Sequence, residues 1–182
     1  MQVYRVHERL TVKVGDITRE TTDAIVNAAN RNLLGGGGVD GAIHAAGGPA
    51  ILRACREIRA TTHPGGLPAG EAVITPGGDL AAPFVIHTVG PIYGEYGGRE
   101  PDLLAACYEN CIALAAAQGL HTIAFPAIST GIYGYPKDEA ARVARSAIDS
   151  ALARYPAISE VRLVFFSEAD ANIFINSRGQ VT

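Results

Sequence analysis

Short apolar runs rich in β-branched residues alternate along this chain with longer runs of helical period. That alternation constrains the fold more than any other feature. Strands are expected at 3–6 and 10–15, where Val and Leu alternate with polar neighbours, and at Asp23–Asn27, 71–76, 84–90, 121–126 and 161–166. Helices are expected from about Val39 to Ala46 and from about Pro49 to Arg59, the second entered through a Gly-Pro step. A third runs from an N-cap at Asp102 to about Gln118 and stops at Gly119. The clearest spans Pro136 to Tyr155, with Asp138 and Glu139 at its positive end. Ala140, Val143, Ala144, Ala147, Ile148, Ala151 and Leu152 give it one apolar stripe. A short helix follows the last strand. Two stretches dense in Gly and Pro, 60–70 and 91–101, read as loops. The pattern specifies an α/β class in which helices cover a mostly buried sheet, and 182 residues fit a single domain, 1–182.

Composition narrows the function. A formal charge of −3 argues against a primary nucleic-acid binder, which carries a basic stripe. The longest uninterrupted apolar run, Cys111–Ala117, falls far short of the roughly 20 residues a membrane helix needs. The opening MQVYRVHERL is too charged for the apolar core of a signal peptide. Three cysteines make no disulfide framework, so cytoplasmic residence is the default expectation. Cys107 and Cys111 lie four apart without a second ligand pair, which reads as core packing, and no metal site is expected.

The excess of glycine, 21 residues, concentrates where chemistry is expected. Gly36 to Gly41 formally fits G-x-G-x-x-G, but a dinucleotide fingerprint needs its first glycine directly after a strand, and eight residues intervene here. No G-K-[ST] occurs. What remains is a glycine run opening a helix, whose backbone N–H groups and dipole suit an anion. The same residues also fit a loop that needs positive φ angles. A second such loop, Ala127 to Tyr135, follows the strand at 121–126 and enters the helix at Pro136. Two anion-ready loops beyond strand ends suggest one diphosphate held between them. Asp40 and His44, four apart, share a helical face. Asp40 fits either a water-orienting base, weak if exposed, or a first-turn carboxylate. His44 fits either an assisting group or a packed side chain. Asn27, Asn30 and Asp16 also fit plain turn chemistry. Of Phe165 and Phe166, alternation sends one to the core and the other fits a ligand contact, while either ring taken alone fits core packing better.

GDIT (15–18), DAIVNAANRNLLGGGGVDGAIHAAGG (23–48), VIHTVGP (85–91) and FPAISTGIYGYP (125–136) together resemble the macrodomain family, in order and over nearly the whole chain. The likeness is greatest to the bacterial and MacroD-type branch of O-acetyl-ADP-ribose deacetylases and mono-ADP-ribosyl-protein hydrolases. It implies a three-layer α/β/α sandwich with a mixed central sheet. It further implies that Asp16 accepts a hydrogen bond from the adenine amino group with Ile17 beside it, and that Phe166 packs on the adenine face. Gly37, Gly38, Val39 and Asp40 would line the diphosphate and distal ribose, with Asn30 on the ribose hydroxyls. Ser129, Thr130, Gly131, Ile132 and Tyr133 would wrap the diphosphate, Tyr133 also covering the distal ribose. Asp40 and Asn30 would carry catalysis, supported by His44 and Asn27. One departure is Tyr93, where many relatives carry Trp. No lysine occupies the 23–48 block, which disfavours the branch that forms a covalent lysine adduct.

The function so implied is hydrolysis of an ester, acetyl or protein carboxylate, on the distal ribose of ADP-ribose, with no cofactor. Its partners would be ADP-ribose, its esters and mono-ADP-ribosylated proteins, and the chain would act as a monomer. The alternatives are a non-catalytic ADP-ribose reader, an ADP-ribose 1″-phosphate phosphatase, and a protein-interaction role such as restraining a ribonuclease.

Overall fold

The structure, a computed structural model, describes residues 2–177. Its strands are β1 (Val3–His7), β2 (Leu10–Val14), β3 (Ala24–Ala28), β4 (Ala72–Pro76), β5 (Phe84–Thr88), β6 (Thr122–Phe125) and β7 (Glu160–Phe165). Its helices are α1 (Gly38–Gly47), α2 (Pro49–Ala60), α3 (Glu100–Ala117), α4 (Lys137–Arg154) and α5 (Glu168–Asn176). The strands form one sheet in the order β1-β2-β7-β6-β3-β5-β4. Its interior, from β2 to β5, is parallel, and β1 and β4 close the two edges antiparallel. This is the mixed sheet of the expected α/β fold.

Side-chain alternation divides the sheet between two cores. Ala24, Val26, Ile86, Ile123, Phe125, Val161 and Leu163 pack beneath α3, α4 and α5. Ile25, Val85, Ala124 and Val164 point the other way and pack beneath α1 and α2. Helices therefore cover both faces, giving three layers. Strand β3 is buried on both sides, which explains why Ala24, Ile25 and Val26 are apolar in succession. The same alternation puts Asn27 on the α1 face with Ile25. Parallel pairing sets Asn27 directly beside His87 of β5.

Two local expectations are corrected. Helix α3 begins at Glu100, with Arg99 at the N-cap, so Asp102 is a first-turn carboxylate and not the cap. Pro101 needs no N–H partner and fits the first turn, which lets the helix start earlier. The Glu100 carboxylate instead accepts the Tyr96 N–H at 2.8 Å and ties down the preceding loop. Helix α4 starts at Lys137, with Pro136 at its N-cap position. A 3₁₀ turn over Ile17–Arg19 was not foreseen; Asp16 caps it by accepting from the Thr18 N–H. Cys107 and Cys111 are buried in the core, as expected.

Candidate functional site

A cleft of about 580 Å³ opens beyond the carboxyl ends of β3, β6 and β7. The chain leaves each of these strands through a loop of small residues, and the loops form the walls. On one side are Asn30 and Gly36 to Asp40; on the other are Ala127 to Tyr133, with Gly90 between them at the base. Phe166 stands at the mouth, 71% exposed, and Ile132 is fully exposed beside the second loop. Of the expected site residues, Asn30, Gly37, Gly38, Val39, Asp40, Ser129, Thr130, Gly131, Ile132, Tyr133 and Phe166 all line this space.

Four expected residues do not. Asp16 lies outside the lining, its carboxylate held by the Thr18 N–H at 2.9 Å and the Thr18 hydroxyl at 2.7 Å. It does sit near the mouth, because Gly15 donates to the Phe165 carbonyl at 2.9 Å where β2 and β7 end. Ile17 places its side chain in the core under α1, leaving only its backbone near that end. Asn27 and His44 lie behind Asp40. Asn27 Nδ2 donates to Asp40 Oδ1 at 2.8 Å, and His44 Nε2 stands 3.3 Å from the same oxygen. Both touch the carboxylate, neither the cleft.

Asp40 itself is only 5% exposed. The cause is the glycine loop, which folds back over the first turn of α1. A Cβ on Gly36 would lie 3.0 Å from Asp40 Oδ2 and 3.2 Å from Asn30 Nδ2. Asn30 builds that loop while lining the cleft: its Oδ1 accepts from the Asn32 and Leu33 N–H groups, and its Nδ2 donates to the Gly35 carbonyl at 2.9 Å. Its turn-forming and site-lining readings are thus both true. The N-terminus of α1, at Gly37, has no side-chain cap, and Gly37, Gly38 and Val39 at this end line the cleft.

The second loop is shaped by its own backbone. Tyr135 N–H bonds to the Ser129 carbonyl at 2.9 Å, Gly134 to Gly131 at 3.0 Å, and Tyr93 N–H to the Tyr133 carbonyl at 2.9 Å. The Tyr93 ring packs on Tyr135 with centroids 4.9 Å apart. Ser129 sits at φ 65°, in the left-handed region where few non-glycine residues occur. Its hydroxyl is buried without a partner, as is Asn27 Oδ1. A Cβ on Gly90 would collide with that Ser129 hydroxyl, so the close approach of these two loops requires glycine. Burial raises the Tyr133 hydroxyl above its ordinary pKa, with Tyr96 and Asp40 adding to the effect, so it is a neutral donor.

Sequence reasoning missed three contributors. Lys137 and Asp170 line the cleft and pair at 2.8 Å, linking the start of α4 to the start of α5. The YPK step into α4 was the available signal for Lys137. His87 is wholly buried behind Asn27, 3.1 Å from its Nδ2, and was passed over as part of a strand. Burial holds its pKa down to about 3, with His44 adding to the effect, so the ring is neutral.

Comparison with known proteins agrees with this architecture. A family model described as Macro domain matches residues 26–144. The chain is 55% identical over 167 residues to a Cupriavidus necator protein named macro domain-containing protein in gbd 3'region, covering 92% of this chain and 95% of that one. It is 50% identical over 172 residues to a Cronobacter sakazakii protein named O-acetyl-ADP-ribose deacetylase, covering 94% of each. It matches the structure of an Oceanobacillus iheyensis macrodomain variant with ADPR at a TM-score of 0.89 and 47% identity, over 95% of this chain and 94% of that one.

Proposed function

The chain belongs to the macro domain family, and from that premise we propose that it binds ADP-ribose and hydrolyses an ester on its distal ribose, making it an O-acetyl-ADP-ribose deacetylase. The observation that carries the proposal is the meeting of Asp40 and Asn30 at the wall of a cleft whose other surfaces offer backbone N–H groups. The uncapped start of α1 and the loop from Ser129 to Tyr133 grip the diphosphate. Charge-assisted bonds of this kind contribute roughly 1.5–3 kcal/mol each, enough for several to support micromolar binding. Phe166 and Asp16 take the adenine, and Tyr133 covers the distal ribose.

In this reading a water held between the diphosphate and the distal ribose attacks the ester carbonyl. Asp40 aims that water, and Asn30 holds the ribose. The water oxygen bonds to the carbonyl carbon, the bond from that carbon to the ribose oxygen breaks, and a proton ends on the released ribose hydroxyl. Positioned general-base help of this kind supplies about 10²–10⁴-fold. Carboxylate esters of ADP-ribose on proteins present the same bond and belong to the same proposal, as do a cytoplasmic location and a monomeric state. Among the described residues no helix is long and apolar enough to cross a membrane.

The test is turnover of O-acetyl-ADP-ribose beside calorimetric binding of ADP-ribose. Asp40→Ala and Asn30→Ala are each expected to lose at least about 10²-fold in kcat while keeping most of the ADP-ribose affinity. Wild-type rates in both variants would remove Asp40 and Asn30 from the reaction. Tight ADP-ribose binding without release of acetate by the wild type would make the protein a reader. Faster turnover of ADP-ribose 1″-phosphate than of the acetyl ester would make it a phosphatase.

A further inference from the structure

Behind Asp40, a string of buried polar side chains runs across three strands to the edge of the sheet. Thr75 on β4, His87 on β5 and Asn27 on β3 all point to the α1 face, where apolar Val73, Val85 and Ile25 are their same-face neighbours. All three are at most 2% exposed. His87 Nε2 lies 2.9 Å from Thr75 Oγ1, His87 Nδ1 lies 3.1 Å from Asn27 Nδ2, and that same nitrogen lies 2.8 Å from Asp40 Oδ1.

Donors and acceptors in this string admit one assignment. A carboxylate only accepts, so the Asn27 amide must turn its nitrogen, not its oxygen, toward Asp40. That nitrogen has two hydrogens; one goes to Asp40, and the other points at His87. His87 Nδ1 must then be the acceptor, which places the ring proton on Nε2, facing Thr75 Oγ1. The Thr75 hydroxyl in turn donates to the Pro76 carbonyl at 3.2 Å. A protonated ring would set an N–H against the Asn27 amide. With its Oδ1 unpartnered, Asn27 has His87 as its one side-chain partner besides Asp40 itself among the described residues.

We propose that His87 is a positioning residue for the reaction: as the neutral Nε2–H tautomer it locks the Asn27 amide, and through it the aim of the Asp40 carboxylate toward the cleft. The inference rests on the hydrolase reading given above. Cys55, whose Sγ is 3.9 Å from His87 Nε2, is a packing neighbour: burial pushes its thiol up to about 11, with Asp40 adding to the effect.

The substitutions His87→Leu and His87→Asn separate aim from packing. Leucine fills the space and supplies no acceptor. Asparagine returns an oxygen acceptor near the place of Nδ1 without the bond to Thr75. In His87→Leu, kcat on O-acetyl-ADP-ribose is expected to fall by about tenfold or more with ADP-ribose Kd within about twofold, since small misplacements of a reacting group are costly. His87→Asn is expected to recover most of that loss. Equal loss of kcat in both variants, a wild-type kcat in His87→Leu, or a loss appearing only in Kd and KM would overturn the inference. Nitrogen-15 spectra of the wild-type ring give a readout independent of turnover and of whether His87→Leu folds. They are expected to show unprotonated Nδ1 and protonated Nε2 from about pH 5 to 9. A proton on Nδ1, or a ring that titrates in that range, would refute the string. A wild type without esterase activity would overturn the hydrolase reading, and the spectra would still decide whether His87 holds Asn27.

Discussion

Ser129 combines two local costs in one residue. Its backbone is in the left-handed region at φ 65°, and its buried hydroxyl has no partner. Each carries a cost of the order of 1–3 kcal/mol. A ligand phosphate in the cleft would accept from that hydroxyl. Ser129→Ala is therefore expected to leave the melting temperature unchanged or higher, while weakening ADP-ribose about fivefold to tenfold, as loss of one hydrogen bond of about 1 kcal/mol does. Parallel melting and titration experiments check both halves. Unchanged affinity would mean that the hydroxyl faces no ligand. Serine in a small-residue loop reads from the sequence as a candidate contact; its strain does not, since φ depends on how Tyr135 and Gly90 close the loop. Asp40 and Asn30 were legible for a similar reason, sitting in one compact block. His87 was not, because its partners, Asn27 and Thr75, meet it only when β3, β4 and β5 pair.

Among the elements, the join between β3 and β6 is the weak seam. These strands pair over Ala24 with Ile123 and Ile25 with Ala124 alone. Asp23, just before β3, reinforces the seam: its Oδ2 accepts the His121 N–H at 2.8 Å and the Thr122 N–H at 3.1 Å, and its own N–H donates to Thr122 Oγ1 at 2.8 Å. Those backbone bonds, the His121 one foremost, hold the Asp23 carboxyl below its ordinary pKa against the opposing effect of burial. Asp23→Ala is expected to lower stability by about 1–3 kcal/mol, measured by urea unfolding, with the urea slope unchanged. A loss under about 0.5 kcal/mol would show the clamp to be dispensable. Element types were readable because period 2 and period 3.6 differ so plainly in runs such as LTVKV of β2 and the alanine stripe of α4. Boundaries were less so. At α3 the choice between Asp102 and Arg99 turned on Glu100 bonding backward to Tyr96, a tertiary contact that no local pattern contains.

Over the whole molecule, the neutral buried His87 makes stability depend on acidity. Its pKa is about 3 when folded, against 6.5 for an unperturbed histidine. Between those values the unfolded chain binds more protons than the folded one, so stability rises with pH there. The contribution is complete above about 6.5 and is lost progressively as pH falls toward 3. Wild-type urea midpoints are expected to fall across that window, and the gap to His87→Asn to narrow as they do. A gap that is constant from neutral pH to pH 4 would contradict a neutral buried ring. Strand order in the sheet was the least legible feature at this scale. Neighbours such as β2 and β7 are separated by most of the chain, and no local pattern records their pairing. Once they pair, a division of labour follows. In the proposed reading, the carboxylate's aim is set by side chains rooted in β3, β4 and β5, whereas the loops that leave β6 and β7 grip the ligand and carry neither Asp40 nor Asn30. Substitutions in those two loops are thus expected to retune which ligand is held without re-aiming the reaction, so affinity and turnover become nearly independent traits there.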